Sequence, residues 1–359
     1  MLREGHTVSF VVPREPSDLP SEQNWNGLHI LRYPAGNPLQ LQRELLRAVR
    51  KLNASNPIDL VIVHFAKTAL GFHLSELGNK LPTLRIYHGP WDLEHAEEAG
   101  SRGIKNRAAH LLMRMVEGTS LRRSRHIICL SEYMANDART RFGVPAEKIS
   151  IIPGGVDTER FSPGDRTAAR ARFGYKKDEF VIFCVRRLAR RMGIPNLVDA
   201  AAILKTTVPN LRVVIGGRGP LKEELEAQII RLGLQGKVEL VGFIPDEELA
   251  DRYRAADLFV LPTQALEGFG LVILESFGCG TPVVGTPVGA IPDVLRPFDK
   301  RLTVKGTTAT DIADAVLAIA EELPDRRNLA DITTQNYSWD GVTHRLLAEA
   351  HNLIDKSSR

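Results

Sequence analysis

Short apolar runs alternate along this chain with longer stretches whose apolar residues recur every third or fourth position. The runs at 6–12, 59–64, 83–88, 126–130 and 149–152 predict strands, and 39–52 and 109–121 predict helices among them. A second set begins near residue 180. There, strands are predicted at 180–185, 211–215, 238–241, 258–261 and 282–285, and helices at 194–205, 221–232, 246–255 and 270–277. This alternation predicts an α/β chain with parallel sheets. A connector rich in Pro and Gly, PGGVDTERFSPGD at 153–165, separates the two sets, so two domains around a cleft are expected. A last helix is predicted within 337–354, with Ser338 as its N-cap. No low-complexity tract or short repeat interrupts the pattern.

Composition narrows the class. At 359 residues the chain has room for two ordinary domains, and its 43% hydrophobic and 25% charged residues are those of a globular protein in water. No apolar stretch approaches the length of a membrane span, and the opening MLREGHTVSFVVP is too short and polar for a signal peptide. Three scattered cysteines, Cys129, Cys184 and Cys279, argue against a disulfide framework or zinc site and predict a reducing compartment, the cytoplasm. The net charge of +4 falls in the first half: residues 1–160 hold 21 of the 47 Lys+Arg and 17 of the 43 Asp+Glu, leaving 26 against 26 beyond. That excess lies mainly between Arg102 and Arg125. Two readings fit it: a basic amphipathic helix facing an anionic membrane surface, peripherally at the inner face, or a phosphorylated lipid; or an ordinary solvated helix. Nucleic acid is a poor partner, because aromatic residues are sparse there and no binding module is visible.

The chemistry concentrates in residues 261–288, LPTQALEGFGLVILESFGCGTPVVGTPV. Glu267 and Glu275 stand eight residues apart around a Gly-Phe-Gly turn that follows a predicted strand and opens a short helix. Strand, loop and helix in this order bind nucleotide-like ligands beyond the carboxyl ends of a parallel sheet. The free amides of a helix N-terminus favour an anionic or oxygen-rich ligand. If all intervening residues were helical, the carboxylates would lie about 12 Å apart, too far for one metal or a shared proton. They suit two distant parts of one long ligand. The plain alternative is a surface charge at each position. Against it, Leu271, Val272, Ile273, Leu274 and Phe277 surround Glu275 with apolar side chains, so a carboxylate there needs a partner.

This segment resembles the E-x7-E signature of the retaining glycosyltransferases of family 4. The resemblance implies the GT-B fold: two Rossmann-like parallel-sheet domains facing across a cleft, the last helix crossing back to the first domain. The implied division is an acceptor domain of residues 1–160 with 338–359, and a nucleotide-sugar donor domain of residues 161–337. It implies donor-sugar contacts for Glu267, sugar and phosphate contacts for the amides of Gly268, Phe269 and Gly270, diphosphate nearby for Leu271 and Val272, and ribose for Glu275. Trp339 is expected near the hinge.

Other motifs gain weight beside it. Val185-Arg186-Arg187-Leu188 closes a predicted strand and leads to Arg190, Arg191, Met192 and Gly193. Guanidinium groups at a strand end suit a diphosphate, the alternative being a basic surface loop. The resemblance places phosphate on Arg187 and on a lysine just before the glycine. Met192 stands at that lysine position, so either Arg191 or Arg190 takes its contact or phosphate binding is weaker; Arg191 is carried forward. The loop VIGGRGP at 214–220 fails as a dinucleotide fingerprint, since Lys222 replaces the third glycine. By resemblance Gly217 lies near the nucleotide, and the backbone of Gly242 and Phe243 reads the base; strand-end packing is the alternative. A lone histidine at a strand end, such as His88, is more often structural than catalytic. The resemblance puts His88 on the transferred sugar, and His64, Trp91 and Asp92 on the acceptor side.

Members of the family usually open with a strand, a Gly-rich loop and a helix before the segment resembling EGHTVSFVVP, where this chain starts. An unpaired slot in the first sheet is therefore expected. The implied reaction moves a sugar from a nucleoside-diphosphate donor to a hydroxyl acceptor (a glycan, a lipid, lipid-linked or free, or a small molecule) with retention. Arg187, its neighbours and helix amides stabilise the leaving diphosphate. No Asp-x-Asp motif occurs, so metal-independent, cofactor-free chemistry is expected. A non-catalytic sugar-nucleotide binder is the alternative that Met192 and the start favour. A sugar-nucleotide 2-epimerase lacks its acid/base constellation here, and a nicotinamide oxidoreductase lacks its fingerprint.

Overall fold

The computed structural model describes residues 1–16, 18–99 and 104–357. The chain forms two compact units, dividing between Ile152 and Pro153 and again between Val342 and Thr343. Unit 1 is the first segment with the residues from Thr343 onward, and unit 2 is the stretch between. The sequence puts these boundaries after 160 and before 338.

Unit 1 contains β1 (Ser9–Arg14), β2 (Glu22–Trp25), β3 (Leu28–Pro34), α1 (Pro38–Ser55), β4 (Val61–Val63), α2 (Ala66–His73), α3 (Glu76–Lys80), β5 (Thr83–Tyr87), α4 (Trp91–Ala99), α5 (Ile104–Arg123), β6 (His126–Cys129), α6 (Glu132–Phe142) and β7 (Ile149–Ile151). Strands β4, β5, β6 and β7 form a parallel sheet in that order. A second sheet runs β1-β3-β2, with β1 parallel to β3 and β2 antiparallel to it. Among the described residues β1 and β4 are each an end strand of their sheet. The β2–β3 hairpin turns through Asn26 and Gly27, both at positive φ (50° and 85°), the backbone a two-residue hairpin turn needs. Helix α1 starts on a reciprocal capping box between Asn37 and Gln40. Its Leu45 and Val49 pack with Tyr33 and Phe72, and Val11 of β1 and Val61 of β4 lie against the same cluster. On α5, Leu111, Leu112 and Met115 are exposed. Arg102, where the basic stretch begins, lies outside the described residues.

Unit 2 contains α7 (Arg166–Arg172), β8 (Phe180–Val185), α8 (Ile194–Leu204), β9 (Leu211–Gly216), α9 (Lys222–Arg231), β10 (Val238–Gly242), α10 (Asp246–Ala255), β11 (Leu258–Leu261), α11 (Leu271–Gly278), β12 (Val283–Gly285), α12 (Ile291–Leu295), α13 (Ala309–Glu321) and α14 (Arg326–Tyr337). Its five strands are all parallel, in the order β10-β9-β8-β11-β12. The runs FVIFCV of β8 and LFVL of β11 lie at the centre, almost wholly buried, as a parallel sheet covered on both faces demands. The order reverses between β8 and β11. That is the switch point of a doubly wound sheet, where the loops leaving the two strand ends diverge and open a crevice.

Helix α15 (Trp339–Ser357) follows α14 after Ser338, whose Oγ accepts the Gly341 N–H at 3.4 Å, as an N-cap does. The Trp339 ring closes over the connector: a Cβ added to Gly155 would lie 2.7 Å from it. All three cysteines are buried, and burial pushes each thiol up to about 12.

Candidate active site

In unit 2, two loops meet at the switch point. The loop leaving β8 begins with Arg186, whose N–H donates to the Gly216 carbonyl at 3.0 Å. The loop leaving β11 runs through Glu267 to Gly270. The two are tied by one backbone and one side-chain bond: Gln264 N–H donates to Arg191 O at 2.8 Å, and Arg191 Nη1 donates to Leu266 O at 3.2 Å. Gly289 closes the far side of the second loop. Its φ is 58°, and an added Cβ would sit 2.1 Å from the Glu267 carbonyl, so any side chain there displaces the loop.

Glu267 is held from three sides. Arg186 Nη2 donates to its Oε2 at 2.7 Å, Thr263 Oγ1 donates to the same oxygen at 3.5 Å, and the Ala290 N–H donates to its carbonyl at 2.9 Å. The Arg186 and Glu267 side chains are only 10% and 12% exposed. Glu275 lies one turn into α11, where Tyr253 of α10 donates its hydroxyl to Oε2 at 2.8 Å. Burial pushes the Glu275 carboxyl up, against the Tyr253 hydrogen bond and the Arg160 charge. The partner that a carboxylate on this apolar helix requires is therefore Tyr253. Helix α11 starts at Leu271, so Glu267 stands in the loop before it, and the spacing of an unbroken helix does not apply to the two glutamates. Among the described residues no side chain caps the α11 N-terminus, and Gly270 precedes it with φ 82°. Phe269 is buried and Leu271 exposed; both approach Gly154. Gly268 lies between Glu267 and Phe269 in the same loop, and Val272 in the first turn of α11, both half-buried.

The arginine pair at the end of β8 splits. Arg187 is exposed, whereas Arg186 turns into the β11 loop. Arg190 pairs with Glu224 at 2.8 Å on an exposed face. The Gly217 N–H is used within the sheet, donating to Gly242 O at 2.6 Å. Phe243 beyond it is 60% exposed, with the Arg218 guanidinium 5.1 Å from its ring centre. The sequence reading missed three supports: Arg186, Tyr253 and Thr263. For Tyr253 a signal existed, since it is three residues after Ala250 on the buried face of α10 and brings a hydroxyl into an apolar layer.

In unit 1, His64 follows β4 and His88 follows β5, at the ends of neighbouring parallel strands. His64 Nδ1 and His88 Nε2 are 3.0 Å apart, and Phe65 stacks on His88 at 5.4 Å. His88 is open to solvent on one side, yet burial of its ring, with His64 and Arg85 nearby, lowers its pKa to about 4. It is neutral in near-neutral solution. Arg85 fixes this backbone: Nη1 donates to the carbonyls of Val63 (3.1 Å), His64 and Ile86, while Nη2 donates to Glu117 at 2.8 Å. Trp91 opens α4, half-buried. Asp92 departs from its acceptor-side reading. Its side chain is fully buried, paired with Arg141 of α6 and with His110 at 3.2 Å, which leaves it to hold the fold.

Comparison with known proteins gives a consistent family. The family model described as Glycosyl transferases group 1 matches residues 165–336, and the one described as Glycosyltransferase Family 4 matches residues 1–160. The chain is 29% identical to D-inositol 3-phosphate glycosyltransferase 1 of Catenulispora acidiphila over 96% of this chain and 84% of that protein. It is 34% identical to the D-inositol 3-phosphate glycosyltransferase of Kribbella flavida, in a match spanning 60% of this chain and about half (53%) of that relative. Among solved structures, sucrose-phosphate synthase from Thermosynechococcus elongatus is 23% identical with a TM-score of 0.84, covering 99% of this chain and 91% of that one. Anabaena HepE in complex with UDP is 18% identical with a TM-score of 0.76, covering 97% and 100%. These likenesses show the GT-B fold.

Proposed function

The chain belongs to the family 4 glycosyltransferases, and from that premise we propose that it moves a sugar from a nucleoside-diphosphate donor to a hydroxyl acceptor with retention at the anomeric carbon. The observation that carries the reading is the pair of enclosed carboxylates after β11, each held by a named donor: Glu267 by Arg186 and Glu275 by Tyr253. Glu267 offers a carboxylate acceptor to sugar hydroxyls, and Glu275 an acceptor to the ribose. The uncapped amides of Leu271 and Val272 meet the diphosphate, with Arg187 and Arg191 adding positive charge.

In the reaction the bond from the anomeric carbon to the diphosphate oxygen breaks and the acceptor oxygen bonds to that carbon on the same face. The acceptor proton passes to the departing phosphate oxygen. Charge growing on the leaving group is stabilised by protein groups, with no metal or cofactor taking part. His88, kept neutral, hydrogen-bonds the transferred sugar without adding a charge to the anomeric centre, and His64 sets which ring nitrogen carries the proton.

A thermal-shift panel of nucleoside diphosphates and their sugars tests this. At about 100 times its Kd the matching compound adds about 2.7 kcal/mol, which raises Tm by roughly 5–11 °C in a unit of this size. In Glu275→Ala, measured against its own ligand-free Tm, that shift is expected to disappear. A cooperatively folded chain that no compound shifts, or an unchanged shift in Glu275→Ala, rejects the reading.

We include a peripheral contact in the cytoplasm with anionic membrane, supported by Leu111, Leu112 and Met115 standing exposed on α5 beside exposed Arg107 and Arg114. The chain is expected to sediment with vesicles containing anionic lipid and to stop doing so in Leu112→Asp. Equal sedimentation of both forms, or none of the native chain, argues for a solvated helix.

A further inference from the structure

Arg186 is enclosed beside an opposite charge and a sulfur. Its Nη2 lies 2.7 Å from Glu267 Oε2 and 2.8 Å from Met192 Sδ, and its side chain is 10% exposed. A thioether is a weak acceptor without charge. The carboxylate of Glu267 thus takes a charged hydrogen bond from this guanidinium, with Thr263 beside it at the longer 3.5 Å.

The backbone explains why Arg186 and not Arg187 fills this place. Its N–H continues the β8–β9 ladder to Gly216, and that register turns its side chain toward the loop after β11. Met192 ends the short turn Arg190–Met192, and its Sδ accepts from the same guanidinium nitrogen. Positions 186 and 192 thus converge on a single point beside Glu267.

Building on the reading of Glu267 as the sugar-facing carboxylate, we propose that Arg186 is its positioning residue, holding the carboxylate aimed, and that this cation can be supplied equally from position 192. A lysine at 192 extends two atoms beyond the place of the methionine sulfur, which brings its ammonium to Glu267 once the guanidinium is removed. The site accepts one cation there: with both present, two like charges crowd one carboxylate.

The test is a swap measured by turnover of the matched nucleotide sugar and by Tm. Arg186→Ala is expected to lower kcat about 100-fold with KM changed less than about 3-fold, because the sugar contact loses its aim and not its existence. Adding Met192→Lys to Arg186→Ala is expected to bring kcat back to within about 5-fold of the native chain and to restore Tm, while Met192→Lys alone lowers kcat. A double variant that is folded and regains Tm but stays at the kcat of Arg186→Ala overturns the positioning role, as does an Arg186→Ala chain with native kcat. Native turnover is the control on the underlying reading: its absence with every donor rejects the transferase site, whereas native turnover with a failed swap rejects only the role of Arg186.

Discussion

Glu267→Ala is expected to lose both turnover and stability. The substitution removes the acceptor that faces the sugar, for which a fall in kcat of about 100-fold or more is the ordinary scale of a preorganised contact. It also leaves Arg186 enclosed beside Met192 with its carboxylate partner gone, and both members of the pair are about nine-tenths buried. Breaking one side of such a pair costs about 3 kcal/mol, or roughly 6–12 °C of Tm in a unit of this size. Glu267→Gln separates the two effects, because it keeps volume and one acceptor oxygen while losing the charge. Steady-state turnover and a thermal melt check this, and a variant within twofold of native kcat at native Tm contradicts the site.

The second large effect is expected in unit 1. Arg85 and Glu117 are each 3% exposed and 2.8 Å apart, and Arg85 also serves the carbonyls between which the two histidines hang. Arg85→Ala is expected to cost about 3–5 kcal/mol, because a buried carboxylate is left without its cation. Burial already pushes the Glu117 carboxyl up, and loss of Arg85 removes the main opposing influence. Its folded pKa then lies further above its unfolded one, so the variant is favoured below the unfolded pKa and loses stability as pH rises through the folded value. Denaturant melts at pH 5 and pH 8 are expected to show a larger deficit at pH 8. Replacing both partners, Arg85→Met with Glu117→Leu, is expected to recover most of the loss. A single variant as stable as the native chain at both pH values contradicts this account.

Much of unit 2 was legible because buried parallel strands read as apolar runs bounded by Gly and Pro. Strands β8 and β11 and helix α10 occupy the residues expected, and β9, β10 and β12 each differ by one residue. The β2–β3 hairpin was not read, although Asn26-Gly27 is a strong turn signal, because β2 (EQNW) is exposed throughout and carries no apolar alternation. At the site, Glu267 and Glu275 stood out by their neighbours. The choice between adjacent arginines did not, since which of them turns inward is set by the register of β8 on β9. Asp92 was misread because the side chain that buries it, Arg141, comes from α6, 49 residues on, and no local pattern records that pairing.

The three cysteines bear on how this chain is handled. With each thiol buried and pushed up to about 12, almost none is thiolate near neutrality, whereas an exposed cysteine is thiolate at the level of a few per cent. A cysteine introduced at exposed Ile230 on α9 would then take a maleimide dye far faster than the native ones. The native sequence is in effect a silent background for site-selective fluorescent labelling, with none of its own cysteines removed.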